Sequence, residues 1–152
     1  MKKIIFAFVI IAFISSCKKE ETTPLSKTEL LSSKPWKWTE GSVSPGYDFF
    51  GDGKLINGEY RSKMPVCFQD DIRTFTAAGQ YTNDEGATKC DPADPQIYSE
   101  SKWVFGAGET TIKFTDLDYE WTIVELSETK LKVTEVYMEG TTKYTFNYTF
   151  GH

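Results

Sequence analysis

Residues 103–123 read WVFGAGETTIKFTDLDYEWTI, and this stretch decides the fold class. Large apolar side chains fall on alternate positions: Trp103 and Phe105, then Ile112 and Phe114, then Trp121 and Ile123. Period-two alternation marks strands with one buried face. A two-residue turn at Gly108-Glu109, with Gly leading as type II′ requires, predicts Phe105 opposite Ile112 and Trp103 opposite Phe114. A second tight turn at Leu117-Asp118 predicts Phe114 opposite Trp121 and Ile112 opposite Ile123. All three strands then share one apolar face, so pattern and turns agree on register.

The same reading extends outward. A turn at Glu139-Gly140 sets Val133 opposite Phe146, Leu131 opposite Tyr148 and Glu135 opposite Tyr144. Upstream, Ala77-Ala78-Gly79 read as a type I turn with a Gly bulge pairs Phe75 with Tyr81. Strands are expected near 36–43, 71–77, 80–85, 98–106, 110–116, 119–126, 130–138 and 141–150. Ser26-Lys27-Thr28-Glu29 has capping-box spacing ahead of Leu30-Leu31, so a short helix is expected near 26–33, ended by Pro35. The fold class is therefore all-β: an eight-stranded antiparallel up-and-down barrel with a short N-terminal helix. Closure removes exposed strand edges. A two-sheet sandwich is the alternative.

A chain of 152 residues suits one domain and a real hydrophobic core. The net charge of −5 argues against a nucleic-acid footprint. The single His is His152, the last residue. Ser-His-Asp triads, Cys-His pairs and His-based zinc sites thus lack a pocketed imidazole. The chain is read as a non-enzyme with no cofactor and no metal. Asp48 to Gly53 lacks the alternating acids and terminal Glu of a calcium loop. Asp70-Asp71 could act as paired carboxylates, but a strand-entry turn is the simpler reading.

The start of the chain has its own pattern. Lys2-Lys3 precede the apolar run Ile4 to Ile14 and then Ser15-Ser16-Cys17. The run is shorter than the ~20 residues that span a bilayer and reads as a signal peptide. Residues 1–16 are then the signal, 17–25 a charged tether and 26–152 the barrel domain. Losing Lys2 and Lys3 without any acid leaves the remaining chain more acidic still. Cys67 and Cys90, in an oxidising compartment, are expected to form a disulfide across the base of the Phe75–Tyr81 hairpin; two buried thiols are the alternative.

Two sets of residues could carry function. The inward face offers Phe75, Tyr81, Trp103, Phe105, Phe114, Trp121, Tyr144, Phe146 and Tyr148, with Glu135 as the one acid able to orient a polar head. These rings either fill the barrel or line a ligand pocket, since eight strands enclose room for one or the other. The connection 44–66 is too long for an ordinary hairpin loop and carries Tyr47, Phe49, Phe50 and Tyr60. It is expected to act as a lid, a partner surface or a structural plug.

Ile14-Ser15-Ser16-Cys17 resembles the lipobox of bacterial lipoproteins, which implies lipid on Cys17 and an outer-membrane anchor; an ordinary signal peptide is the alternative. Lys19-Glu20-Glu21 is similar to a surface-export signal of some Gram-negative bacteria, which implies a surface-facing domain, with the periplasmic face as the alternative. The tether, the Leu-containing helix and Trp36-Lys37-Trp38 continue the pattern. Cys67-Phe68-Gln69-Asp70-Asp71, Thr74-Phe75, Gly79-Gln80-Tyr81, Gly86 and Cys90 complete it. Together they resemble the bacterial lipocalin-like lipoprotein domains. Lys34-Pro35-Trp36 departs from the Gly-x-Trp of lipocalins proper. The resemblance implies a small barrel able to hold an apolar ligand. The alternative function is a protein-interaction or inhibitor module acting on an envelope protein.

Overall fold

The computed structural model describes residues 23–152. The expected signal peptide, Cys17 and the first part of the tether lie outside those residues. Among the described residues no helix is long and apolar enough to cross a membrane.

Helix α1 (Lys27–Ser32) begins with the expected capping box: Glu29 N donates to Ser26 Oγ, and Ser26 N donates to Glu29 Oε2 at 2.8 Å. Its Leu31 is fully buried, and the Leu31 carbonyl accepts from Trp36 Nε1 at 2.8 Å. Lys27 Nζ reaches the Glu109 carbonyl at 2.6 Å, so α1 lies across one end of the barrel.

Nine strands follow: β1 (Trp36–Tyr47), β2 (Ile56–Glu59), β3 (Ile72–Phe75), β4 (Gln80–Asp84), β5 (Ile97–Phe105), β6 (Thr111–Phe114), β7 (Glu120–Leu126), β8 (Lys130–Glu139) and β9 (Thr142–Gly151). From β3 to β9 each strand pairs with the next in sequence, all antiparallel. β1 closes the ring. It pairs with β9 from Lys37↔Gly151 to Ser44↔Thr145, and on its other edge with β3 at Trp36↔Arg73 and Lys37↔Ile72. The fold is a closed eight-stranded barrel with one added strand. β2 takes up the edge of β1 where β3 ends, pairing Ser42↔Glu59 and Tyr47↔Ile56. The segment read as one long connection is thus partly a hairpin.

Register follows the sequence pattern with two corrections. Trp103↔Phe114, Phe105↔Ile112 and Phe75↔Tyr81 stand as expected. Gly79, at φ +82°, forms the bulge that ends the turn, with its N–H donating to Thr76 O. The β5–β6 register is right, although Ala107 to Thr110 form a four-residue loop with Gly108 and Glu109 both at positive φ. Between β6 and β7 the pairing is Ile112↔Trp121, not Phe114 opposite Trp121, because residues 115–119 form a longer loop than the two-residue turn. Between β8 and β9 it is Glu135↔Phe146, Val133↔Tyr148 and Leu131↔Phe150, because the turn is Gly140-Thr141 with Gly140 at φ +61°. Each correction is a slide of two residues, so the inward face is unchanged.

The core runs the length of the barrel. At the α1 end it holds Leu31, Trp36, Ile112, Leu131 and Phe150. Farther along, ring contacts join Phe75, Tyr81, Phe114 and Trp121, with centroids 4.7 to 6.4 Å apart. Edge-on and offset aromatic pairs of this kind add about 0.5–1.5 kcal/mol each beyond area burial. His152 packs its ring 4.0 Å from Trp36 at the α1 end.

Candidate functional site

The candidate mouth is built by Trp38 of β1, the segment 48–71, the start of β3 and the start of β5. Its first support is Asp48. Asp48 Oδ1 accepts the N–H groups of Phe50, Gly51 and Asp52, and Oδ2 accepts that of Gly53, so this carboxylate organises the loop that presents Phe49 and Phe50. The second is Arg61. Its Nε donates to Trp38 O at 2.9 Å and its Nη2 to Gln69 O at 2.8 Å, tying β1 to helix α2 (Val66–Gln69). The third is the disulfide Cys67–Cys90, which joins α2 to the β4–β5 connection as expected.

These supports border an open cavity of about 420 Å³. Its walls are Trp38, Phe49, Phe50, Met64, Pro65 and Phe68; its floor is Asp71, Arg73 and Tyr98. Asp71, Arg73 and Phe75 alternate with Ile72 and Thr74, so Asp71 and Arg73 share the inward face of the buried Phe75. Tyr98 arrives by a different route. Asn83 pairs with Ser99 but Asp84 with Ile97, leaving Tyr98 as an extra residue in a bulge that turns its ring inward.

The floor is polar and incompletely partnered. The Tyr98 hydroxyl donates to Asp71 Oδ2 and accepts from Asn83 Nδ2. Asp71 Oδ1, Asn83 Oδ1 and Arg73 Nη1 are buried with no hydrogen-bond partner in the protein. Arg73 lies with Cζ 5.1 Å from the Phe150 ring centre, a cation over an aromatic face. Burial pushes the Asp71 carboxyl up to about 6; the Tyr98 hydrogen bond and the Arg73 charge oppose this without cancelling it. Burial likewise raises Tyr98, and the bond to Asp71 adds to the rise.

A second polar group surrounds Glu135. Trp121 Nε1 donates to Glu135 Oε2 at 3.1 Å, and the Tyr148 hydroxyl interacts with both Glu135 and Tyr60. Burial raises the Glu135 carboxyl and the Tyr60 and Tyr148 phenols. Arg73 is the cation whose charge reaches all of these groups.

The residues singled out from sequence separate into two places. Phe75, Tyr81, Trp103, Phe114, Trp121 and Phe146 are buried and pack on one another, with Phe105, Tyr144 and Tyr148 partly buried against them. The cavity walls are a different set. Glu135 is engaged by Trp121 rather than free at the mouth. Of the connection residues, Phe49 and Phe50 line the cavity. Tyr60 is buried, with its ring stacked 4.5 Å from Phe49, and Tyr47 packs edge-on to Phe49 at 5.0 Å. Asp71, Arg73 and Tyr98 were not anticipated as a site. The available signal was parity with Phe75 for Asp71 and Arg73, whereas no pattern marks the bulge that turns Tyr98.

The arrangement suits binding: an apolar wall, a small polar floor and a supported rim. No family model matches the chain, and a search of curated proteins finds no match.

Proposed function

We propose that this chain is an envelope lipoprotein, anchored through lipid on Cys17, whose lipocalin-like barrel binds a small, mainly apolar molecule at its open mouth. One observation carries the reading: a cavity of about 420 Å³ with six apolar wall residues and three polar floor residues. Small-molecule sites typically have ~300–1,000 Å³ and just this mixture of apolar lining and a few polar groups. The aromatic interior below supplies a rigid base. Binding rather than catalysis fits the chain's single imidazole, which packs on Trp36 and does not line the cavity.

The test is native mass spectrometry of the protein purified from its own cells. A discrete added mass, released by organic solvent and weakened by Phe49→Asp, is expected. A bare protein that also takes up no apolar compound on incubation contradicts the reading. Acyl-probe labelling lost in Cys17→Ala tests the anchor, and labelling of intact cells tests the outward-facing orientation.

A second reading rests on exposed apolar groups at the same rim. Phe50 is 52% exposed, Phe68 41% and Val66 72%. A protein partner docked on this rim is the alternative, and it predicts a co-purifying protein in place of a small mass.

A further inference from the structure

Resting on that cavity reading, we propose that the ligand carries a dipolar head group, one that offers an acceptor to Arg73 and a donor to Asp71 at the same time. Carboxamides and α-amino acids with an apolar tail both have this chemistry.

The argument begins with the two side chains. Asp71, immediately before β3, and Arg73 within it sit two residues apart and both line the cavity floor. Asp71 has one oxygen engaged by Tyr98 and the other, Oδ1, buried without a partner. Arg73 Nη1 is likewise buried without a partner. Most buried polar atoms in folded proteins are hydrogen-bonded, and one left unpartnered is costly. Here an acceptor and a donor are both left over on two residues that line one apolar cavity. A head group that supplies the missing donor and acceptor satisfies both at once.

Charge excludes the simpler alternatives. A plain carboxylate head would find Arg73 but would also face Asp71. A plain ammonium head would find Asp71 but would face the Arg73 guanidinium. Neither leaves both atoms partnered. A head with no net charge, or with paired opposite charges, meets no like charge on either side. The walls then take the tail against Trp38, Phe49, Met64 and Phe68.

The experiment compares four probes that share a ten-carbon chain: decanamide, 2-aminodecanoic acid, decanoate and decylamine. Calorimetry on the intact folded domain gives each affinity. The amide or the amino acid, whichever is the better mimic, is expected to bind at least about tenfold more tightly than both singly charged probes. The amide and amino-acid arms distinguish a neutral from a zwitterionic head. Arg73→Met and Asp71→Asn should each reduce the preference, and the wild-type ranking stands even if a variant folds poorly. Equal affinity for all four, or decanoate or decylamine binding best, overturns the head-group assignment while leaving the cavity reading intact. Binding of none of the four overturns both.

Discussion

Trp121 on β7 donates its indole N–H to the Glu135 carboxylate on β8 at 3.1 Å, inside the barrel. Tyr148 interacts with the same carboxylate from β9, so three neighbouring strands meet on one half-buried acid. This places Glu135 among the groups that hold the core.

Glu135→Leu should therefore cost about 1–3 kcal/mol, because it leaves the Trp121 N–H without its acceptor. Glu135→Gln keeps an acceptor and removes a buried charge, so it should cost less. Burial raises the folded carboxyl above its unfolded value of 4.5. Its contribution is thus present below that value and lost as pH rises through the folded one. Urea unfolding at several pH values should show that Glu135→Gln flattens this decline. Equal losses for Leu and Gln would contradict the role given to the acceptor.

Asp71 makes a sharper case for pH. Asp71 is 2% exposed, and burial pushes its carboxyl up to about 6 in the folded state, against 3.8 when free. The stability it contributes is complete below about pH 3.8 and lost as pH climbs through about 6, a span of about 2–3 kcal/mol. Asp71→Asn should therefore gain on the parent protein as pH rises from 4 to 7, as read by denaturant midpoints. A difference that does not change with pH would contradict the assignment.

Much of this fold was legible because β-structure repeats every two residues. The corrections at Leu117-Asp118 and at Glu139-Gly140 slid strands by two positions, which returns the same side chains to the same face. Turn chemistry is the less legible part. Gly140 serves as the first of two turn residues, and residues 115–119 make a longer loop that no Gly or Pro announces. The cavity was harder still. Two of its floor residues are charged, and period-two patterning looks for apolar side chains, so Asp71 read as a turn and Arg73 drew no reading. Tyr98 faces inward only through a bulge. Phe49 and Phe50 were legible as an unusual connection, but β2 was not: it is four residues long and contains Gly58 at φ +91°.

The disulfide should matter to the rim more than to the barrel. Cys67 and Cys90 are 23 residues apart in sequence, and closing a loop of that size stabilises by ~3 kcal/mol in the chain-entropy model. Replacing both by Ser should lower stability by about that amount. Hydrogen exchange should rise first in 61–71 and 85–96, with the β8–β9 ladder still protected. Uniform loss of protection would contradict this division.

Arg61 should act on the cavity without touching its interior. Arg61→Ala removes the bonds to Trp38 O and Gln69 O and the guanidinium 5.6 Å from the Trp38 ring centre. Ligand affinity should fall several-fold while the melting temperature drops by a few degrees, since ~1 kcal/mol shifts a domain of this size by about 2–8 °C. Unchanged affinity would show that the rim needs no such tie.

The most direct test uses the chain's four indoles, each with its N–H on a different partner. Trp36 donates to Leu31 O at the α1 end, Trp103 to Thr76 O, Trp121 to Glu135, and Trp38 to Glu40 O beside the cavity. In a ¹H–¹⁵N spectrum titrated with decanamide, the Trp38 indole signal should shift saturably while those of Trp36 and Trp103 stay in place. Shifts centred on Trp103 and Trp121 would move the ligand into the barrel interior. A spectrum unchanged at Trp38 through saturating ligand would contradict a binding site at the mouth.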